Sequence, residues 1–124
     1  DILAELAEYK KDQYATTGTG RLEEVRQYIL AHYTENDLTA ASIAASFSMS
    51  SSYLSRAFKE YTGSNILEYI QRLRVNTAKE LLRTESVKTT AQQVGFWDTQ
   101  GLVRAFKKHE GMTPSEFKHI REKK

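Results

Sequence analysis

Two arginines in this chain occupy the same place in a repeated hexapeptide: Leu54-Ser55-Arg56-Ala57-Phe58-Lys59 returns as Leu102-Val103-Arg104-Ala105-Phe106-Lys107, 48 positions later. A guanidinium is a planar fork of donors that fits paired acceptors such as a guanine edge. With Leu54 and Phe58 inward, and Leu102 and Phe106 as their counterparts, helical geometry turns Ser51, Ser52, Ser55, Arg56 and Lys59 outward. The second copy turns out Thr99, Gln100, Val103, Arg104 and Lys107. Arginine suits guanine and glutamine suits adenine, at about 1–3 kcal/mol of discrimination each, while Ser and Thr mostly take phosphate oxygens. The two faces are candidate reading surfaces for double-stranded DNA.

Other chemistry finds less support. There is no cysteine, so no disulfide, thiolate metal site or cysteine nucleophile is available. His32, His109 and His119 fall on different helices without an i, i+4 partner, so no metal site is expected. The pair Glu23-Glu24 belongs to an exposed helix face, with no phosphate loop or nucleophile motif beside it, so no catalytic residues and no cofactor are expected. Trp97 could stack on a sugar or base, but a plug between two helical units is the preferred reading, which makes it a core residue. Tyr28, Tyr33, Tyr61 and Tyr69 sit at helical intervals with aliphatics and are read as packing residues with hydroxyls at the rim.

Helices must position these side chains, since no run alternates apolar with polar residues and only one proline occurs. Residues 2 to 14 suggest a connecting helix, and Ala15 to Gly20 a hinge. Leu22, Val25, Tyr28, Ile29 and Tyr33 mark the next helix. Thr39 can cap a two-turn segment carrying Ile43, Ala44 and Phe47, and Ser50 a longer helix that ends at Gly63. A linking helix follows, with Ile66, Leu67, Ile70, Leu73, Thr77, Ala78, Leu81 and Leu82 inward and Arg72, Arg74, Lys79 and Arg83 largely outward. The short-then-long pattern recurs: a short segment containing Val87, Ala91 and Val94, a break at Gly95, and a longer one with Leu102, Ala105 and Phe106 that ends at Gly111. Thr113-Pro114-Ser115-Glu116 then combines an N-cap, a first-turn proline and a capping-box glutamate.

The expected fold is therefore all-α: two helix-turn-helix units joined by a long helix, about seven helices in all. Its divisions are a connecting segment and linker at 1–20, a first unit with linking helix at 21–83, and a second unit at 84–124. Upstream the repeat offset falls to 47, where Ala44, Phe47, Ser48 and Met49 match Ala91, Val94, Gly95 and Phe96, so Trp97 is an extra residue in the second turn. About eighteen residues of linking helix span about 27 Å. Successive major-groove faces lie about 34 Å apart, which is compatible with one continuous DNA site. A bundle whose duplicated pattern serves only packing would explain the apolar residues, but packing does not ask for arginine at both outward positions.

The chain has 124 residues and a formal net charge of +2. Asp1, Glu5, Glu8 and Asp12 outweigh Lys10 and Lys11, which leaves the positive excess to the rest, all of it within residues 99–124. No stretch approaches eighteen consecutive apolar residues, so a soluble, cytoplasmic protein is expected. An Asp at position 1 suggests a piece of a longer protein whose sensing part lies elsewhere.

The strings LTAASIAASFSMSSSYLSRAFKEYTGSNILEYIQRLRVNTAKELL and VGFWDTQGLVRAFKKHEGMTPSEF resemble the C-terminal DNA-binding domain of AraC/XylS-type transcription regulators, over about residues 21 to 121. The resemblance implies two helix-turn-helix units that enter consecutive major grooves and regulate transcription, with RNA polymerase as a partner and control from a separate N-terminal sensor or receiver domain. It places base contacts at Ser52, Ser55, Arg56, Gln100, Gly101 and Arg104, and backbone contacts at Ser51, Tyr53, Lys59, Thr99 and Lys107. No small-molecule site is expected in this part. GLVRAFKKHEG is most similar to members fused to phosphoreceiver or membrane-anchored sensor domains. Departures from the pattern are Thr90 for a buried aliphatic, Ser48 for glycine, Gly101 for a larger base-reading residue and Val103 for a small polar one. Gly101 within a helix costs about 1 kcal/mol relative to alanine. The rival readings are a helical protein-interaction module using the same faces, which a weak salt dependence would reveal, and a small helical enzyme, which lacks a nucleophile or proton-transfer pair.

Overall fold

The computed structural model describes residues 19–122, so the connecting helix expected over residues 2 to 14 lies outside the described residues. Seven helices form there and no strand: α1 (Thr19–His32), α2 (Ala40–Ser46), α3 (Ser51–Thr62), α4 (Ile66–Leu81), α5 (Val87–Val94), α6 (Thr99–Glu110) and α7 (Pro114–Glu122). By packing they divide into two compact units. One runs up to Ala31 and resumes at Ala40–Ile66; the other takes His32–Thr39 with Leu67 onward.

In the first unit the 3.6-residue periodicity of α1 brings Val25 and Ile29 inward against Ile43 of α2 and Leu54 and Phe58 of α3, each of them fully buried. Burying a side chain of this size contributes about 1.5–3 kcal/mol. The small Ala44, at 2% exposure, lets α2 and α3 cross closely. Phe47 closes one end: Arg21 donates to its carbonyl oxygen and stacks over its ring at 5.7 Å, and Tyr28 meets the ring edge-on at 5.6 Å. Across the unit the Tyr61 hydroxyl donates to Glu23 at 2.6 Å.

In the second unit Val75, Ala78 and Leu82 of α4 pack with Ala91 and Val94 of α5 and with Phe96, Leu102, Ala105 and Phe106. The Phe117 ring of α7 meets Phe106 at 5.3 Å. Ser86 and Asp98 cap α5 and α6, their side chains accepting from the backbone N–H of Thr89 and Gly101. Thr113 and Glu116 satisfy each other's backbone N–H at 3.1 and 3.2 Å, the capping box expected from the sequence. At the end of α4, Lys118 donates to the carbonyls of Leu82 and Glu85 and Arg121 to that of Lys79, satisfying acceptors a helix end leaves open.

Three sequence expectations need correction. Arg74, expected to face outward, is buried: it donates to the carbonyls of Tyr33 and Glu35 at 2.7 and 2.9 Å and stacks over Phe96 at 5.3 Å. Leu67, expected inside, is 64% exposed, because the buried face of α4 starts from Ile66 and Ile70, and Val75 is buried instead. Trp97, expected in the core, is 75% exposed. The preceding residue has taken the inner place: Phe96 is buried beneath Arg74, and its N–H donates to the Ala91 carbonyl at 2.9 Å.

Candidate nucleic-acid interface

The internal repeat extends to the backbone. In the first unit Ser48 adopts φ 56° and the Met49 N–H donates to the Ala44 carbonyl at 2.9 Å. In the second Gly95 adopts φ 108° and Phe96 makes the same bond to Ala91. Both short helices thus end in a left-handed residue that reverses the chain toward the longer helix. Gly95 is constrained further, because a Cβ there would lie 2.8 Å from the Thr34 carbonyl oxygen. Ser50 then caps α3, accepting from Tyr53 N–H at 3.1 Å, whereas one residue more intervenes before Asp98 caps α6. The longer helices close alike: Gly63 N–H donates to the Lys59 carbonyl and Gly111 N–H to that of Lys107.

These caps fix the rotation of α3 and α6, and with it what each presents. On α3, Ser51, Ser52, Tyr53, Ser55, Arg56 and Lys59 are exposed, while Leu54 and Phe58 are fully buried. On α6, Gln100, Arg104 and Lys107 are exposed, Thr99, Gly101 and Val103 are half-buried, and Leu102 and Phe106 are fully buried. Each face gathers on one helix its polar and basic candidates; Val103 adds a methyl-bearing edge to the second. A Cβ at Gly101 would sit 3.1 Å from Cδ1 of Phe96, so the bare position reflects close packing.

Most arginines serve the fold. Arg26 pairs with Glu23, Arg83 with Glu80, Arg21 and Arg121 cap carbonyls and Arg74 is buried. Arg56 and Arg104 are exposed and, among the described residues, neither is held in an ion pair. Their donors therefore remain available to an external acceptor. At the end of α6, burial and then the Arg72 and Lys108 charges push the His109 imidazole below its usual range, so the positive charge there comes from Lys107 and Lys108.

A model of the helix-turn-helix domain matches residues 43–120, more than half of the chain. The chain belongs to the AraC/XylS-type helix-turn-helix family. It is 36% identical over 100 residues to the arabinose operon regulatory protein of Escherichia coli (strain K12), an alignment covering 79% of this chain and 34% of that protein. Among solved structures it is similar to the C-terminal domain of AraT, a response regulator from Geobacillus stearothermophilus, at TM-score 0.76 and 30% identity over 81% of this chain and 84% of that one. It is also similar to the DNA-binding domain of AdpA, described as a global transcriptional factor in complex with a target DNA. That match has TM-score 0.73 and 31% identity over 80% of this chain and 90% of that one. The chain spans about a third of the length of the first two curated relatives it matches.

Within this AraC/XylS-type domain, sequence reasoning missed three positioning residues. Ser86 and Asp98 carried an ordinary N-cap signal, a short acceptor side chain ahead of a helical run. Arg74 stands four residues from both Ile70 and Ala78, which places it on their stripe, but its charge argued for the outside.

Proposed function

We propose that this domain binds double-stranded DNA sequence-specifically to regulate transcription, with α3 and α6 entering adjacent major grooves. The observation that carries the reading is the duplicated, exposed arginine, Arg56 and Arg104, in no ion pair among the described residues and held at the same register of two helices by matching backbone caps. Ser52, Ser55, Arg56, Gln100, Gly101 and Arg104 are assigned to bases. Ser51, Tyr53, Lys59, Thr99 and Lys107 are assigned to the sugar-phosphate backbone, where Ser and Thr hydroxyls and ammonium groups suit phosphate oxygens. The similarity to a domain described with its target DNA supports the assignment.

The domain is proposed to be one part of a longer regulator, since its match covers 34% and 36% of the first two curated relatives. A sensor or receiver domain on the N-terminal side would supply the signal, RNA polymerase would be the downstream partner, and the site of action would be the cytoplasm. No helix among the described residues is long and apolar enough to cross a membrane.

Selection of bound duplexes from a random pool tests the reading. A recovered consensus in two half-sites one helical turn apart, with affinity falling steeply as salt rises, is the expected result. Recovery of no consensus, with binding insensitive to salt, would refute sequence-specific DNA recognition and favour a protein partner for the same faces.

A further inference from the structure

Each unit presents one large exposed aromatic beside the start of its reading helix, but not at the same position. In the first it is Tyr53, 41% exposed, on the first turn of α3. The repeat places Gly101 opposite Tyr53, so the second unit has no side chain there. It has instead Trp97, 75% exposed, as the added residue of the turn that leads into α6. Trp97 stands between Phe96, which is buried, and Asp98, whose carboxylate is committed to the Gly101 N–H at 2.8 Å. An indole so exposed adds little to the packing of the unit, and Phe96 already fills the inner place.

We propose that Trp97 is a DNA-backbone contact, taking in the second unit the role that Tyr53 takes in the first; this rests on the DNA-binding reading above. The chemistry fits a phosphodiester strand beside the groove. The indole N–H is a donor with no acceptor capacity, suited to a phosphate oxygen, and the ring face packs on the C–H surface of a deoxyribose. Such a contact is uncharged. It adds affinity on any sequence without replacing a condensed counterion, in contrast to a lysine.

Trp97 is the single tryptophan of the chain, so its emission reports on this residue alone. The 124-residue chain is titrated with the duplex recovered from the random pool and with a scrambled duplex of equal length, following Trp emission, and separately with fluorescein-labelled copies, following anisotropy. The expected result is a change in emission that saturates with the anisotropy. Trp97→Ala is expected to weaken both duplexes by about tenfold, with the salt slope and the thermal midpoint unchanged, and Trp97→Phe to fall between. Saturated anisotropy with unchanged emission, or unchanged affinity in Trp97→Ala, would overturn the contact while leaving the DNA-binding reading intact. A loss confined to the selected duplex would make Trp97 a base reader, and a lowered thermal midpoint would make it a packing residue; either overturns the proposal. Absence of anisotropy change on both duplexes would sink the DNA-binding reading itself, and this contact with it.

Discussion

Arg74 donates through Nε to the carbonyl oxygen of Tyr33 at 2.7 Å, joining positions 41 apart in sequence within the second unit. The same guanidinium reaches the Glu35 carbonyl and covers the Phe96 ring. Burial lowers its pKa, but a guanidinium starts so high that it stays charged in any ordinary buffer. Replacing it removes its hydrogen bonds to the Tyr33 and Glu35 carbonyls, the second of which keeps the Leu38 N–H, and uncovers an aromatic ring. Arg74→Met is expected to destabilise the domain by about 2–4 kcal/mol in urea unfolding, whereas Arg72→Ala, on an exposed position, is expected to cost under about 0.5 kcal/mol. Equal effects would show that the carbonyl contacts carry no stability.

Arg56 and Lys107 separate recognition from attraction. Arg56→Ala is expected to lose about 1–3 kcal/mol on the selected duplex and to relax sequence choice at one position. Lys107→Ala is expected to weaken all duplexes alike and to flatten the salt slope by about one unit. Equal losses on selected and scrambled DNA for Arg56→Ala would remove it from base reading.

Thr90 is fully buried in α5, and its Oγ1 has no hydrogen-bond partner among the described residues. A desolvated hydroxyl without a partner costs about 1–3 kcal/mol. Valine has nearly the same shape, so Thr90→Val is expected to raise stability by about 1 kcal/mol, read as a higher thermal midpoint with unchanged DNA affinity. A lower midpoint would show that the hydroxyl is satisfied in solution.

Glu23 links α1 to the end of α3 through Tyr61. Hydrogen bonds from Arg26, then Tyr61 and Gln27, hold its carboxyl at about 2, well below the ordinary 4.5. A carboxylate depressed in the folded state favours folding above its unfolded pKa and loses that benefit as pH falls toward the folded value. The loss therefore runs from about pH 4.5 down to about pH 2. Glu23→Gln is expected to be less stable than the parent at neutral pH, with the difference shrinking across that window. A difference independent of pH would exclude the ionised carboxylate as its source.

Elements with an unbroken apolar period were legible from the residues alone. Leu54 with Phe58 and Leu102 with Phe106 set the rotation of α3 and α6, so the exposure of Arg56 and Arg104 followed. Thr113 with Glu116 announced α7, because both halves of a capping box are local. What escaped depends on partners distant in sequence. Arg74 is inside because the carbonyls of Tyr33 and Glu35 meet it there, which no pattern within α4 records. Trp97 and Phe96 are adjacent aromatics, and which of them turns inward is decided by the Phe96 bond to Ala91 at the end of α5. The linking helix was expected to run to Arg83 but ends at Leu81, a difference of the size that fraying helix ends produce.

The bare position at Gly101 bears on how the two reading faces could diverge. Any side chain there would press on Phe96, whose ring lies under Arg74, so a new reading residue at position 101 requires that ring to shift. Ser51, Ser52 and Ser55 on α3 are exposed and carry no such debt. Under the proposed docking, retargeting of the second helix by single substitutions would fall to Gln100 and Arg104, leaving position 101 comparatively frozen in any drift of operator preference.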